Sequence, residues 1–432
     1  MKSIRITLGA MTLIAWAGFG GAVGQAIPAT GAPAAISLEV ARARALERNP
    51  ALLAAGSDSR AAEGAWRQAR AWPNPELEVA AEEFGGDRPG WDDAILTWSV
   101  TERLEIFGSR GARARAGRFG YDAATAERER MRLEVSAEVE RRFAAVIAAQ
   151  DRLAALAESD QISAGALATV RALVEAGEVS PVEAERTEAE RARVGIAYRT
   201  ADVDLANARR ALAQLWGEAT PDFTRAEGTL EFVPVVPSLE SLESLVAGGL
   251  VSPDLRRRDA EVSRGEAARS LARLGRWPEV SLSAGLRRFS GTGERTCVAS
   301  IGLALPLLDR NGGAIQQADA EVARLRTQRR QEEVRLAGDL AAARDALENA
   351  AHAAETMRES VLPRTATVHA ALSEGYRRGE FRLLDLLDAQ RTWVEARLQY
   401  IDVLESLWSA RADLERLLGR SLAARAQEGE SR

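Results

Sequence analysis

Residues 72–86 read Trp72-Pro-Asn-Pro-Glu76-Leu-Glu-Val-Ala80-Ala-Glu-Glu-Phe84-Gly-Gly86, and residues 277–291 read Trp277-Pro-Glu-Val280-Ser-Leu-Ser-Ala284-Gly-Leu-Arg-Arg-Phe289-Ser-Gly291. Each stretch opens on Trp-Pro, which stops a preceding helix because proline disfavours helical backbone at the residue before it. Each then alternates. Leu77, Val79 and Ala81 stand against Glu76, Glu78, Ala80 and Glu82, while Val280, Leu282, Ala284 and Leu286 stand against Ser281, Ser283 and Arg287. A period of two is the mark of a strand with two unlike faces. A second apolar run follows each stretch across a Gly- and Asp-rich turn, Gly85–Asp92 or Ser290–Glu294. The expected strands are therefore 75–84 with 93–106, and 279–289 with 295–307, each pair a β-hairpin.

Working outward, the two stretches belong to a repeat that spans most of the chain. Ser37-Leu38-Glu39 matches Ser238-Leu239-Glu240, Asn49-Pro50 matches Ser252-Pro253, and Gly111 matches Gly313. Gly177-Glu178 matches Gly379-Glu380, and Gly217 matches Gly419. The offset stays between 201 and 205 throughout. The expected organisation is repeat 1 over 37–219, a Pro-rich linker over 220–237, repeat 2 over 238–420 and a tail over 421–432. Each repeat should begin with an amphipathic helix, 37–70 or 239–273, before its hairpin.

After each hairpin the sequence predicts a very long helix. Residues 111–177 hold no proline, and 313–379 hold only Pro363. Val135, Val139, Phe143, Val146, Leu153, Leu156, Leu167, Val170 and Val174 recur at coiled-coil spacing. At 1.5 Å per residue, ~66 residues span roughly 100 Å. A glycine ends each helix, and a second helix returns over 181–216 or 383–418, with Pro181 suited to a first turn. Each repeat thus ends in a long antiparallel helical hairpin with its tip at Gly177 or Gly379. The fold class is mainly α with a small β part.

The bulk numbers fit. Of 432 residues, 28% are charged, 46% apolar and only 5% aromatic, a balance that favours long helices over a β-sandwich. The net charge of −6, with acids and bases interleaved, excludes a basic nucleic-acid-binding face. Lys2 and Arg5 precede an uncharged apolar run, Ile6 to Val23, and small residues at Gly24 and Ala26. Residues 1–26 therefore read as a secretory signal peptide, with 27–36 a short linker. No later apolar run is long enough for a transmembrane helix. Cys297 is the single cysteine, so no internal disulfide is possible and none follows the leader to carry a lipid.

The strand count demands an oligomer. Four strands are the expected β content, and a membrane barrel must close to satisfy its backbone. Small closed barrels need about eight strands, so several protomers must pool hairpins. Trp72 and Phe84 bracket the first strand, and Trp277 and Phe289 its repeat. At ~3.4 Å per residue and a 45° tilt these pairs stand roughly 29 Å apart, as membrane-interface aromatics would. Trp98 and Phe107 extend the same belts.

The order of elements and the segment Tyr376-Arg-Arg-Gly379-Glu-Phe-Arg-Leu-Leu-Asp385-Leu-Leu-Asp388-Ala-Gln-Arg391 resemble the TolC-like outer-membrane factor family over nearly the whole mature chain. Gly177-Glu-Val-Ser-Pro-Val-Glu183 is the first-repeat counterpart. Trp72-Pro-Asn-Pro75-Glu-Leu-Glu78, Glu82-Glu83-Phe84-Gly85-Gly86 and Leu104-Glu-Ile-Phe-Gly108-Ser-Arg110 resemble the CzcC- and CusC-like cation-efflux components, with Phe107 and Ser109 departing from that pattern. The resemblance implies a homotrimer, with a 12-stranded β-barrel on an α-helical barrel in the periplasm. A periplasmic adaptor (membrane fusion protein) and an inner-membrane RND-type pump feed it, and the cargo is heavy-metal cations. A conduit for drugs or secreted proteins, and a periplasmic coiled-coil adaptor or scaffold, stay open as alternatives.

No catalysis, cofactor or metal site is expected. His352 and His369 lie on predicted helices with no nucleophile at a recognisable spacing, and one Cys, four Met and two His make no ligand cluster. The candidate functional residues are acidic. Asp385 and Asp388 share one helix face just past Gly379, and threefold symmetry would stack them as carboxylate rings at a pore aperture, which select cations. Glu183, placed after Gly177 as Asp385 is after Gly379, would add a ring. The tips, Gly177, Gly379 and Tyr376, are candidates for adaptor docking, since a bare glycine lets another backbone approach closely.

Overall fold

The computed structural model describes residues 35–86, 90–231, 234, 236–238 and 252–422. The expected signal peptide, the N-terminal part of the second repeat's first helix and most of the tail lie outside the described residues.

The chain opens with β1 (Ala35–Ile36), α1 (Leu38–Arg48) and α2 (Pro50–Arg70). The single helix expected over 37–70 is two. Pro50 has no N–H to offer the preceding turn and holds Asn49 out of helical geometry, at ψ 123°. Asn49 then caps α2, its Oδ1 accepting from the Leu52 N–H at 3.0 Å, while its Nδ2 donates to the Leu215 carbonyl at 2.8 Å. Next come β2 (Glu76–Glu82), β3 (Ile95–Leu104), α3 (Ser109–Glu175) and α4 (Pro181–Ala213), which ends in a short 3-10 turn, Gln214–Trp216. After β4 (Arg225–Ala226) the order repeats with α5 (Pro253–Leu274), β5 (Glu279–Phe289), β6 (Arg295–Ala304), α6 (Gly312–Thr356), α7 (Leu362–Arg377) and α8 (Leu383–Leu418).

Helix α3 runs 67 residues unbroken. Its counterpart does not: a π-helical turn, Met357–Val361, separates α6 from α7. Pro363 explains it. The proline cannot donate to the carbonyl four residues back and its ring crowds that group, so the turn before it widens.

The long helices pair antiparallel with their return helices. Arg171 on α3 bonds Glu188 on α4 at 2.7 Å. Farther from that end, Leu156 packs with Ala201, and Phe143 and Ile147 share a core with Leu205 and Leu212. Position numbers thus rise on one arm as they fall on the other. In the second half His369 stacks on Trp393, and Leu336, Leu340 and Leu347 pack with Leu407, Leu414 and Leu417. Of the seam residues expected on α3, Val135, Val139, Phe143, Val146, Leu156, Leu167 and Val170 are buried.

Two short strands were not expected. β1 and β4 pair in parallel, Ala35 with Arg225 and Ile36 with Ala226, so four strands are not the whole β content. They belong to a strap rather than a loose connection. Gln150 holds Ala226 through both backbone groups at 3.1 and 2.7 Å, Trp408 donates to the Leu230 carbonyl at 2.8 Å, and Phe223 and Leu230 are buried. Pro221, Pro234 and Pro237 make 220–237 read as turns, and its apolar residues keep neither a helical nor a strand period.

The larger sheet has the order β2-β3-β5-β6, every neighbour antiparallel.

Candidate conduit: the sheet faces and the hairpin tips

Register sorts the sheet's side chains into two faces. Val79 pairs with Trp98, Trp98 with Leu286, and Leu286 with Cys297. The next row on the same face is Leu77, Val100, Ala284 and Ala299, and beyond it lie Leu282 with Ile301 and Val280 with Leu303. Most of this apolar face is open: Leu77 is 73% exposed, Ile301 70% and Leu286 59%. Such a contiguous apolar face demands a non-aqueous neighbour. The opposite face carries Glu76, Glu78, Glu82, Thr97, Ser99, Thr101, Ser281, Ser283, Arg287 and Ser300. Thr97 and Ser99 are buried there. Arg287 donates to Thr97 Oγ1 at 3.1 Å and approaches Glu82 at 3.7 Å, and Arg103 meets Glu76 at 2.9 Å. A Cβ on Gly285 would fall 2.3 Å from the Trp98 carbonyl oxygen, so only glycine fits this crowded side of β5.

The aromatics cluster at the sheet's two ends. Trp72 is exposed with the Arg110 guanidinium 4.0 Å from its ring centre. Trp277 stacks on Phe107 at 5.1 Å, and Phe84 on Trp91 at 4.7 Å. Phe289 pairs with Ile95, which puts it on the face of Arg287 and Thr97 rather than the apolar face. Trp98 lies within the apolar face. Trp91 went unnoticed in the sequence because it stands in a Gly-, Asp- and Pro-rich turn, where a lone aromatic has no periodicity.

At the other end of the molecule the two tips close alike. Gly177 and Gly379 adopt φ of 74° and 76°. The Gly177 N–H donates to Val174 and the Glu178 N–H to Leu173; the Gly379 N–H donates to Tyr376 and the Glu380 N–H to Gly375. Both are Schellman closures, which need a left-handed residue at this position. Gly375 is buried beneath Phe381, leaving no space for a Cβ.

Asp385 sits in the first turn of α8. It accepts from the Arg382 backbone N–H at 3.3 Å and faces the Arg382 guanidinium at 3.4 Å. Asp388, one turn on, is exposed and pairs with Arg391 at 2.8 Å. Glu183 holds the equivalent place on α4, after the Ser180 cap. One Glu183 carboxylate oxygen and the Tyr376 hydroxyl are both enclosed without a hydrogen-bond partner. Burial pushes the Tyr376 hydroxyl above its ordinary pKa, and the nearby Glu183 carboxylate pushes it further. The structure thus brings Tyr376 of one tip within electrostatic reach of Glu183 of the other, a proximity that no local sequence pattern reports. Gln390 donates to Ser163 at 3.1 Å, a buried link between α8 and α3.

His352 is exposed; His369 lies against Trp393, and burial lowers its pKa. Among the described residues, no group of three or more His, Cys, Asp or Glu is placed to hold a metal, and no helix is long and apolar enough to cross a membrane.

Comparison with known proteins gives this arrangement its context. Residues 41–218 and 250–420 match the family described as outer membrane efflux protein. The cobalt-zinc-cadmium resistance protein CzcC of Cupriavidus metallidurans is 30% identical over 385 residues, covering 89% of this chain and 90% of that protein. The nickel-cobalt-cadmium resistance protein NccC of Alcaligenes xylosoxydans xylosoxydans is 30% identical over 295 residues, 66% of this chain and 65% of that one. The open-state MtrE outer membrane channel of Neisseria gonorrhoeae superposes with a TM-score of 0.74 at 21% identity, covering 89% of each chain. The chain therefore belongs to the outer membrane efflux protein family, and it is an outer-membrane efflux component whose helical part stands in the periplasm.

Proposed function

We propose that three copies of this chain close a 12-stranded β-barrel in the outer membrane above a helical tunnel, and that the duct exports divalent heavy-metal cations. A periplasmic adaptor and an inner-membrane RND-type pump would deliver the cargo. The observation that carries this reading is the four-stranded sheet with one open apolar face, one polar face and, among the described residues, two unpaired edges. A sheet of that kind is stable in lipid only when other copies close it. The cargo rests on the relatives named for cobalt, zinc, cadmium and nickel resistance.

In this reading Asp385, Asp388 and Glu183 line the aperture, Gly177, Gly379 and Tyr376 form the docking tips, and Trp72, Phe84 and Trp277 mark the membrane interfaces. The acidic side chains work by field rather than by chelation: carboxylate rings raise the local cation concentration at the narrowest point. Asp385 and Asp388 each already face an arginine, Arg382 and Arg391, which offsets part of that field.

A strain deleted for this protein should become sensitive to cobalt, zinc, cadmium and nickel salts, and the cloned chain should restore resistance. The protein should fractionate with the outer membrane as a detergent-extracted trimer. Unchanged metal tolerance with raised drug sensitivity would shift the cargo to organic compounds; a monomer in the soluble fraction would overturn the duct.

A further inference from the structure

The sheet's hydrogen bonding decides which backbone groups remain free at its edges. The Phe289 N–H donates to the Glu294 carbonyl, and the Ser290 N–H to the Ala94 carbonyl. Bonded and non-bonded pairs alternate along an antiparallel ladder. Even-numbered β6 residues therefore bond β5, and even-numbered β3 residues bond β5 from the other side. Odd-numbered β3 residues bond β2 through Glu76, Glu78, Ala80 and Glu82. The free edges belong to Leu77, Val79 and Ala81 on β2 and to Cys297, Ala299, Ile301 and Leu303 on β6; just beyond, Leu305 has its carbonyl accepting from the Leu307 N–H at 2.9 Å, so it extends the apolar face by its side chain. These same residues carry the apolar face. Backbone pairing and side-chain facing thus impose one parity on any seam between copies.

We infer that β6 of one copy pairs with β2 of the next with Leu303 opposite Val79, Ile301 opposite Ala81 and Leu305 opposite Leu77. This rests on the trimeric reading and adds to it which residues meet. Following paired residues across one protomer, from Val79 to Cys297, introduces no stagger. All the stagger of the barrel then arises at its seams, and three identical seams triple the step made at one. Val79 opposite Cys297 would close the barrel without tilt. A shift of β6 in the other sense would set β2 against the Ser290–Glu294 turn. Two seams of the right parity give tilts near those of membrane barrels. Leu303 opposite Leu77 gives a total stagger of about 12 residues and a tilt of about 35°, from a 3.4 Å rise and 4.8 Å strand spacing. Leu303 opposite Val79 gives about 18 residues and about 47°.

Two observations select the second. β5 has 11 residues and β6 has 10, the length of strands that cross a membrane at a tilt of about 45°. Leu305 is 62% exposed past the end of β6, and only this register gives it an apolar partner on β2. Pro306 does not oppose it: by the same alternation its nitrogen lies on the side away from the seam, so its missing N–H removes no bond between copies.

The test uses the full chain with Cys297→Ser to remove the native thiol. Val79→Cys with Leu303→Cys probes the proposed register, and Leu77→Cys with Leu303→Cys the rival. Paired Cα atoms in a bonded antiparallel pair lie about 5.5 Å apart, within disulfide reach. After mild oxidation of outer membranes, a heated non-reducing gel should show covalent dimer and trimer for the first pair at about tenfold the yield of the second. The reverse preference, or no link from either pair in protein shown to be trimeric by native mass spectrometry, overturns the register. A monomer by native mass spectrometry overturns the trimer itself.

Discussion

Replacing Ala284 with arginine tests the placement of the sheet most directly, because its neighbour in sequence supplies the control. Ala284 lies midway along β5 on the apolar face, between Val100 and Ala299. Ser283 lies on the polar face between Thr101 and Ser300. Both positions share one strand, one depth and the same backbone. If the apolar face meets lipid, Ala284→Arg should cost about 2–4 kcal/mol per protomer near the bilayer midplane, whereas a change facing the lumen costs little. That range is roughly 30- to 700-fold in the folding equilibrium. If the face met water instead, the same substitution would stay within about 0.5 kcal/mol. The assay is urea unfolding of protein reconstituted in lipid vesicles, with the wild type, Ala284→Arg and Ser283→Arg measured together. A large loss at Ala284 with a small one at Ser283 supports the assignment. Equal losses at both positions, or none at Ala284, would refute it.

Other expectations follow from the tips and the periplasmic helices. Gly379→Val and Gly177→Val each force a side chain into left-handed backbone, at a cost of about 1–2 kcal/mol; efflux should be lost while the trimer persists on native gels, and normal metal resistance would sink the docking role. Asp385→Asn with Asp388→Asn should lower cation over anion selectivity in planar bilayers, read as a shift in reversal potential. His369 titrates lower in the folded protein than in the unfolded chain because burial opposes its charge. Below the ordinary histidine pKa the unfolded chain therefore takes up a proton that the folded one resists, so stability should fall as pH drops through that range. Thermal melts at pH 7.5 and about 5.5 should show this drop in the wild type, and a smaller one in His369→Phe.

How much of this was legible in the sequence depended on period. The strands announced themselves because Leu77, Val79 and Ala81, and Val280, Leu282, Ala284 and Leu286, alternate without a break. The long helices did so because proline is absent and the apolar spacing holds over many turns. The helix ends were legible because glycine at 177, 217, 379 and 419 leaves little else for a chain to do there; all four have positive φ. Three features escaped. The break at Asn49 needed Pro50 to be weighed as a start rather than as a tolerated residue. The strap over 220–231 depends on Gln150, a partner 76 residues away, which no local pattern reports. The proximity of Tyr376 to Glu183 depends on how two helical hairpins lie side by side. Sequence also suggested Phe289 as a membrane-interface aromatic by spacing alone; register, which spacing does not contain, pairs it with Ile95 on the face of Arg287 and Thr97.

The antiparallel arms of the long hairpins carry one more consequence. Residues on α3 meet residues on α4 at positions whose numbers fall on one arm as they rise on the other, from Arg171 with Glu188 to Phe143 near Leu212. One residue added to a single arm would turn every side chain beyond it by about 100° and take the seam out of contact. A change of reach must therefore enter both arms at matching heights, and must enter the second hairpin as well if the tips are to stay level. The span from membrane to tip behaves as a ruler with coarse divisions: it can be recut only in whole turns, on all four arms at once. Relatives serving a wider or narrower periplasm should differ by such matched blocks rather than by scattered single insertions.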